Sequence, residues 1–230
     1  MKIGIIGTGT VGQTLAARLS EVGHQVVIGT RNVEEKMAND SVDQYGNPPF
    51  SAWKKNHPEI QLVTFKEAAQ NSDVIINATK GGASIEALSL AGEDNLKEKV
   101  LIDVGNPLDG SSGFPPSLLP DLSNSNSLGE QIQSKFPDAK VVKTLNTMYA
   151  GLMVNPLMLN NGDHTNFICG NDNDAKQTVR NLLTDMGWKD QNILDLGDIS
   201  ASRGTESYLP TWLRIMNAKK TGVFNLRIVS

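Results

Sequence analysis

The stretch Lys2–Asn32, KIGIIGTGTVGQTLAARLSEVGHQVVIGTRN, decides the fold. Lys2–Gly7 is a short apolar run with β-branched members, and Gly7-Thr8-Gly9 closes it. Val11, Leu15, Ala16 and Leu19 then recur at helical spacing. Gly23 falls where a helix stop belongs, and Gln25–Ile28 reads as a second strand. Strand, glycine turn, helix and strand in about 30 residues make a βαβ unit.

Gly7-Thr8-Gly9-Thr10-Val11-Gly12 has GxGxxG spacing between that strand and that helix. The first glycine permits the tight turn, the second lets the backbone approach a diphosphate, and the third lets the helix lie close to the strand. The helix start adds unpaired N–H groups and the positive end of its dipole. Dinucleotide binding follows, on a Rossmann-type unit. NAD sites place Asp or Glu at the tip of the second strand to accept from the ribose hydroxyls. Here the tip is Thr30-Arg31-Asn32, with Lys36 just beyond. A 2′-phosphate would meet a hydroxyl, a guanidinium that also stacks on adenine, and an amide, so NADP(H) is expected over NAD(H).

Outward from this unit the alternation continues. Strands are expected at Gln61–Phe65, Val74–Ala78, Val100–Val104 and Val141–Leu145, with helices at Lys66–Gln70, Ser84–Ala91 and Leu128–Phe136. The fold class is therefore α/β, a doubly wound parallel sheet covered on both faces. Asn39–Glu59 and Asp109–Ser127 break the pattern as long loops, a length that often marks binding loops. Past Asn146 the chain adds strand-like Thr165–Cys169, a helix Asp174–Met186, strand-like Ile193–Leu196 and a helix through Tyr208, Trp212 and Met216, which Pro210 should kink or begin. The organisation read from this is an NADP-binding domain over 1–145 and a small C-terminal α/β extension over 146–230. That extension would serve the acceptor and oligomerisation. Its apolar helix and strand-like Phe224–Val229 suggest a homodimer.

Composition narrows the partners. The 230 residues carry 21 basic and 25 acidic side chains, a formal charge of -4, which gives no extended positive surface for nucleic acid. No apolar run approaches the roughly 20 residues of a membrane helix, and MKIGIIGTG lacks the parts of a signal peptide, so no membrane partner and a cytoplasmic location are expected. One cysteine, Cys169, and three unclustered histidines, His24, His57 and His164, argue against a metal centre, and Cys169 reads as an inert core residue.

In an open parallel sheet the ligand lies beyond the carboxyl ends of the strands. That places the nicotinamide near Ala78, Thr79 and Lys80, near Asn106, and near Asn146. Asn77 and Thr147 add neutral hydrogen-bonding groups. Lys80 and Lys143 are the nearby cations, with no acid or histidine evidently paired to either, and no residue is singled out as catalytic. Hydride transfer between two rings needs alignment more than proton traffic, whereas alcohol oxidation usually wants a base. A small-molecule redox acceptor with a conjugated ring fits best. An NADPH-binding redox sensor without turnover is the non-enzyme alternative.

GIIGTGTVGQTLAARL, VVIGTRN, VIINAT, VVKTLNTMYAGLM and SRGTESYLPTWLRIMNAKK together resemble the NADP oxidoreductases dependent on the deazaflavin coenzyme. Their relatives include bacterial dinucleotide-binding proteins and the cytosolic domain of the STEAP metalloreductases. The resemblance spans nearly the whole chain, and its late part rests on Ser202, Arg203, Glu206, Ser207 and Pro210. It implies direct hydride exchange between NADPH and a flavin or deazaflavin ring. It also implies that Thr8, Thr30, Arg31 and Lys36 hold the phosphates. The departures fall where the acceptor binds. Lys80-Gly81-Gly82 replaces a proline, Asn146 stands where a histidine is found, and both long loops are additions. FMN or FAD, relaying electrons to a metal chelate, is the alternative acceptor.

Overall fold

The computed structural model describes residues 1–43, 46–111 and 113–229. Ten strands and eleven α-helices follow in chain order: β1 Lys2–Ile6, α1 Thr10–Glu21, β2 Gln25–Thr30, α2 Val33–Ala38, α3 Phe50–Asn56, β3 Gln61–Thr64, α4 Phe65–Gln70 and β4 Val74–Asn77. Next come α5 Ser84–Ala91, α6 Glu93–Leu96, β5 Val100–Asp103, β6 Leu108–Asp109, β7 Ser117–Leu118, α7 Leu128–Lys135, β8 Lys140–Thr144 and α8 Ala150–Val154. The chain closes with β9 Asn166–Gly170, α9 Asn173–Asp185, β10 Ile193–Asp195, α10 Ser202–Ser207 and α11 Leu209–Lys219.

Eight strands form one sheet in the order β10-β9-β8-β5-β4-β1-β2-β3. From β3 to β8 every pairing is parallel, and the strand order reverses between β1 and β4, the switch point at which such sheets bind ligands. The alternation of buried apolar residues along each strand makes two cores. Ile3, Ile5, Ile76, Ile102 and Val142 pack on one face with α1, α8 and α9. Ile6, Ile75, Leu101 and Val141 pack on the other with α4, α5 and α7. Both faces are covered, as continuous apolar strands require.

Several expectations need correction. The sheet is mixed, because β9 runs antiparallel to β8, and β10 follows β9. Asn39–Glu59 is not wholly loop, since it contains α3, whose Phe50 is buried in the core. The second long loop holds the two-residue ladder of β6 with β7. Of the two readings of Pro210, a kink or a helix start, the second holds, since it lies in the first turn of α11. Phe224–Val229 is not a strand. It is tied to Thr165, just before β9, by Thr165 N–H to Leu226 O at 2.8 Å, Asn225 Nδ2 to Thr165 O at 3.0 Å and Ile228 N–H to Thr165 Oγ1 at 3.0 Å, while both edges of β9 are already occupied.

Candidate functional site

The glycine loop is built as its spacing demands. Gly7 has φ +127, and a Cβ there would lie 2.7 Å from Ala78 O. A Cβ on Gly12 would lie 2.2 Å from Gly7 O, so α1 can approach β1 only with glycine at that position. Gly9 is different, because a Cβ there would meet no atom within 4 Å. Nothing in the protein itself requires glycine at this position. Gly9 is also the N-cap of α1 and offers no side chain to its first turn, whereas α4, α7 and α9 are capped by Thr64, Ser127 and Asp172. A twelve-residue helix with open N–H groups, facing empty space over a bare backbone, fits a diphosphate.

The tip of β2 places its polar residues in three settings. Thr30 is buried. Arg31 is exposed and donates through Nη2 to Glu86 Oε1 of α5 at 3.0 Å, and among the described residues its Nε and Nη1 have no hydrogen-bond partner. Asn32 caps α2 by accepting from Glu35 N–H at 3.1 Å, so its carbonyl oxygen is engaged in the fold. Lys36 lines a cavity of about 490 Å³ together with Thr8, Gly9, Thr10 and α3.

At the other end of the crevice, the strand-end loops lock together. Asn106 Nδ2 donates to Asn146 O at 2.8 Å, and Asn146 Nδ2 donates to Asn106 Oδ1 at 3.0 Å. Leu145, at the end of β8, has φ +62, a left-handed conformation costly for a leucine and typical of residues that redirect a chain at a site. It turns Asn146 toward Asn106. Gly81 packs on the Asn106 backbone so closely that a Cβ would lie 2.3 Å from Asn106 O, which explains one glycine of Lys80-Gly81-Gly82. Thr79 Oγ1 donates to Asn77 Oδ1 at 2.7 Å and lies 2.9 Å from Ser84 Oγ. Lys80 is exposed.

Beneath this floor lies a cluster that the sequence reading missed. Asn77, Asp103, Lys143 and Cys169 are neighbours in register across β4, β5, β8 and β9. Lys143, expected without an acidic partner, has two. Its Nζ donates to Asp103 Oδ2, Glu206 Oε1 and Gly105 O, each at 2.7 Å, which uses all three of its protons. Asp103 Oδ1 accepts from Asn77 Nδ2 at 2.8 Å and Gly105 N–H at 3.1 Å. Glu206, on α10, also accepts from Leu128 N–H at 2.8 Å and Gly129 N–H at 3.1 Å, at the positive end of α7. All three ionisable residues are at most 1% exposed. Burial opposes the Lys143 charge, but Asp103 and Glu206 outweigh it and hold the ammonium above its ordinary pKa. Burial pushes the Glu206 carboxyl up, with Asp103 adding to the push against the pull of Lys143. The cluster fixes Asn77 and, through it, Thr79, without presenting a free acid or base to the crevice.

The late motif has the same role. Ser202 Oγ pairs with Ser127 Oγ at 2.6 Å, and Arg203 binds Glu130 through Nε and Nη2. These residues fasten α10 to the start of α7, on the floor side of the site. Cys169 is buried, and its thiol is pushed up to about 12, chiefly by desolvation. His164 is buried. Its Nε2 lies 2.9 Å from Pro156 O, and its ring meets Trp188 edge-on. Among the described residues there is no group of three or more potential metal ligands, and no helix is long and apolar enough to cross a membrane.

Residues 2–107 match the family described as NADP oxidoreductase, coenzyme F420-dependent. The crystal structure of a candidate F420-dependent NADP reductase from Arthrobacter sp. FB24 is 48% identical, covers 100% of both chains and superposes with a TM-score of 0.93. This chain belongs to that NADP oxidoreductase family. Metalloreductase STEAP3 of Rattus norvegicus is 31% identical across 92% of this chain, which spans 38% of that protein. The F420-dependent NADP reductase of Methanothermobacter thermautotrophicus is 32% identical over 49% of this chain and 46% of its own. The chain thus matches less than half the length of each of these two curated family relatives.

Proposed function

We propose that this family member binds NADP(H) and exchanges a hydride between its nicotinamide and a flavin-like or deazaflavin ring. One observation carries the reading. The crevice has an open helix start and cations at its phosphate end, whereas the titratable groups under its reactive end, Asp103, Lys143 and Glu206, are buried and paired with one another. Such a site suits a reaction that needs alignment rather than a proton relay.

When bound, the dinucleotide supplies the ring carbon that gives or takes the hydride. The chain's own work is placement. The N–H groups at Thr10, Val11 and Gly12, with the side chains of Thr8, Thr30, Arg31 and Lys36, receive the diphosphate and the 2′-phosphate between them. Ala78, Thr79, Lys80, Asn106 and Asn146 line the nicotinamide end. The paired amides of Asn106 and Asn146 keep both strand-end loops at fixed separation, so the ring lies against a rigid floor.

The test is anaerobic oxidation of NADPH by the purified protein with F420, FMN or FAD, each with and without a ferric chelate. Turnover with F420 alone identifies a deazaflavin reductase. Turnover with FMN or FAD that is sustained by the chelate identifies the metal-reducing branch named by the STEAP3 relative. Tight NADPH binding with no oxidation by any acceptor would overturn the catalytic reading and leave the redox sensor.

A further inference from the structure

Residues 221–229 form no helix or strand, yet they are fastened at defined points. Besides the two backbone ties to Thr165, Arg227 pairs with Asp163 at 3.0 Å. Between these ties Asn225 Nδ2 lies 2.8 Å from His164 Nδ1 and 3.0 Å from Thr165 O. Two carbonyls decide where the protons are. Thr165 O can only accept, so the amide nitrogen of Asn225 must face it, and the same nitrogen faces the ring. Pro156 O, 2.9 Å from His164 Nε2, can likewise only accept, so Nε2 carries the ring proton. Nδ1 is therefore bare, and His164 is clasped as the neutral ring. A second proton would set Nδ1–H against the Asn225 amide protons, and turning that amide over would set its Oδ1 against Thr165 O. His164 is 3% exposed, its ring is surrounded by Pro156, Trp188 and Asn225, and among the described residues no carboxylate pairs with it. The charged residues flanking these contacts, Asp163 and Lys189, are engaged by Arg227 and by Asn161 O at 2.8 Å. A charge on the ring would be buried without compensation.

The segment also lies against the loops of the nicotinamide end. Phe224 stacks on Trp212 with ring centres 5.3 Å apart, and together with Leu108 it packs on the cluster of Leu209, Trp212 and Leu213. Gly222 sits so close to Trp212 and Tyr149 that a Cβ there would lie 3.4 Å from the one ring and 3.5 Å from the Cβ of the other residue. Leu108 and Tyr149 follow Asn106 and Asn146 by two and three residues. We infer that residues 221–229 are a pH-sensitive strap across the acceptor side of the crevice, latched while His164 is neutral and released when Nδ1 takes a proton from solvent. Release draws Phe224 off Trp212 and uncovers the loops that carry Asn106 and Asn146, so acidification opens the acceptor side. The gating of an acceptor rests on the hydride-transfer reading above, whereas the latch does not.

Hydrogen exchange of the full chain at pH 8 and pH 5, the span over which imidazoles change charge, tests the latch when labelling times are scaled to the intrinsic rate at each pH. Protection of the Thr165 and Ile228 amides falls by about tenfold or more at pH 5, the effect of turning one buried hydrogen bond into a clash of donors, while α9 and the rest of β9 stay protected. His164→Asn keeps an acceptor for Asn225 without a titrating ring, and its protection is high at both pH values. Asn225→Leu, at a half-buried position, is low at both, and it carries the test should His164→Asn fold poorly. Equal protection of the wild type at the two pH values, or of the wild type and Asn225→Leu at pH 8, would overturn the latch. For the gate, NADPH oxidation is followed at pH 8 with F420 and with FMN, and the KM for the acceptor falls in Asn225→Leu. An unchanged KM in a variant whose strap is loose by exchange would overturn the gate. No turnover with either acceptor, in wild type or variant, would remove the hydride-transfer reading and the gate with it, while the exchange result still decides the latch.

Discussion

Lys143→Met is the sharpest perturbation of the site's foundation. It keeps the apolar stem and removes the charge that Asp103 and Glu206 share. At 2.7 Å each ion pair represents about 6 kcal/mol of attraction at an effective dielectric of about 20, most of which offsets the cost of burying the charges. What the variant leaves behind decides the outcome, namely two buried carboxylates with no cation. Breaking a buried pair in this way costs about 3–5 kcal/mol, or a fall in melting temperature of about 6–20 °C for a chain of this size. The pH dependence fixes the mechanism. In the variant, Glu206 loses the pull of the ammonium, so its carboxyl, already raised by burial, climbs further above its unfolded pKa. A carboxyl raised in this way stabilises the fold fully below its unfolded pKa and loses that contribution as pH rises through the folded pKa. The penalty is therefore largest near neutrality and shrinks as the solution is acidified to about pH 5. Urea denaturation followed by circular dichroism at both pH values measures it. Adding Glu206→Gln removes one orphaned charge and restores part of the loss. A penalty under about 1 kcal/mol, or one independent of pH, would refute the account of the cluster as a mutually neutralised buried unit.

Four further outcomes are expected. Gly9→Val abolishes NADP+ binding in calorimetry while the melting temperature falls by only about 2–4 °C, since its side chain enters open space and the fold loses only a preferred N-cap residue. Gly12→Ala, by contrast, destabilises the fold by about 1–3 kcal/mol in denaturant titration, because its Cβ meets Gly7 O at 2.2 Å. Arg31→Ala raises the NADP+ dissociation constant by about 10- to 100-fold with little effect on NAD+, the value of charge-assisted bonds to one phosphate. Cys169, buried and with its thiol at about 12, reacts with a disulfide reagent at about pH 8 only as fast as the protein opens, so its modification rate follows denaturant.

What the sequence made legible was what the chain settles locally. The glycine loop and the strands before and after it were placed to within a residue or two, because each depends on a handful of neighbouring side chains. Strand direction is different, since an apolar run reads the same both ways. Between β8 and β9 lie the five-residue α8, about 8 Å of helix against a strand of about 16 Å, and two three-residue 3₁₀ turns, so no single helix runs the length of the strand back across the sheet for a parallel return. The chain turns at the carboxyl edge, and β9 runs antiparallel. The thirteen-residue α9, about 20 Å long, does span the distance, and β10 is parallel to β9.

The buried cluster was half legible by the same measure. Val100–Asp103 and Lys140–Thr144 are apolar runs that carry opposite charges near their ends. A doubly wound strand order makes those runs neighbours, and their register sets Asp103 directly beside Lys143. Two such charges at the carboxyl ends of adjacent buried strands cannot remain apart, because each would lack a partner in a dry interior. Glu206 lies beyond that inference. It stands 63 residues from Lys143 on a helix whose docking is set by Ser127, Glu130 and the start of α7, contacts that no local pattern encodes. An intrinsically unfavourable second carboxylate is tolerated there because the backbone amides of Leu128 and Gly129, together with Lys143, enclose it. The C-terminal motif thus holds the floor of the crevice in place from beneath, and a substitution at Glu206 should reach the nicotinamide end through Lys143, Asp103 and Asn77 without touching any ligand.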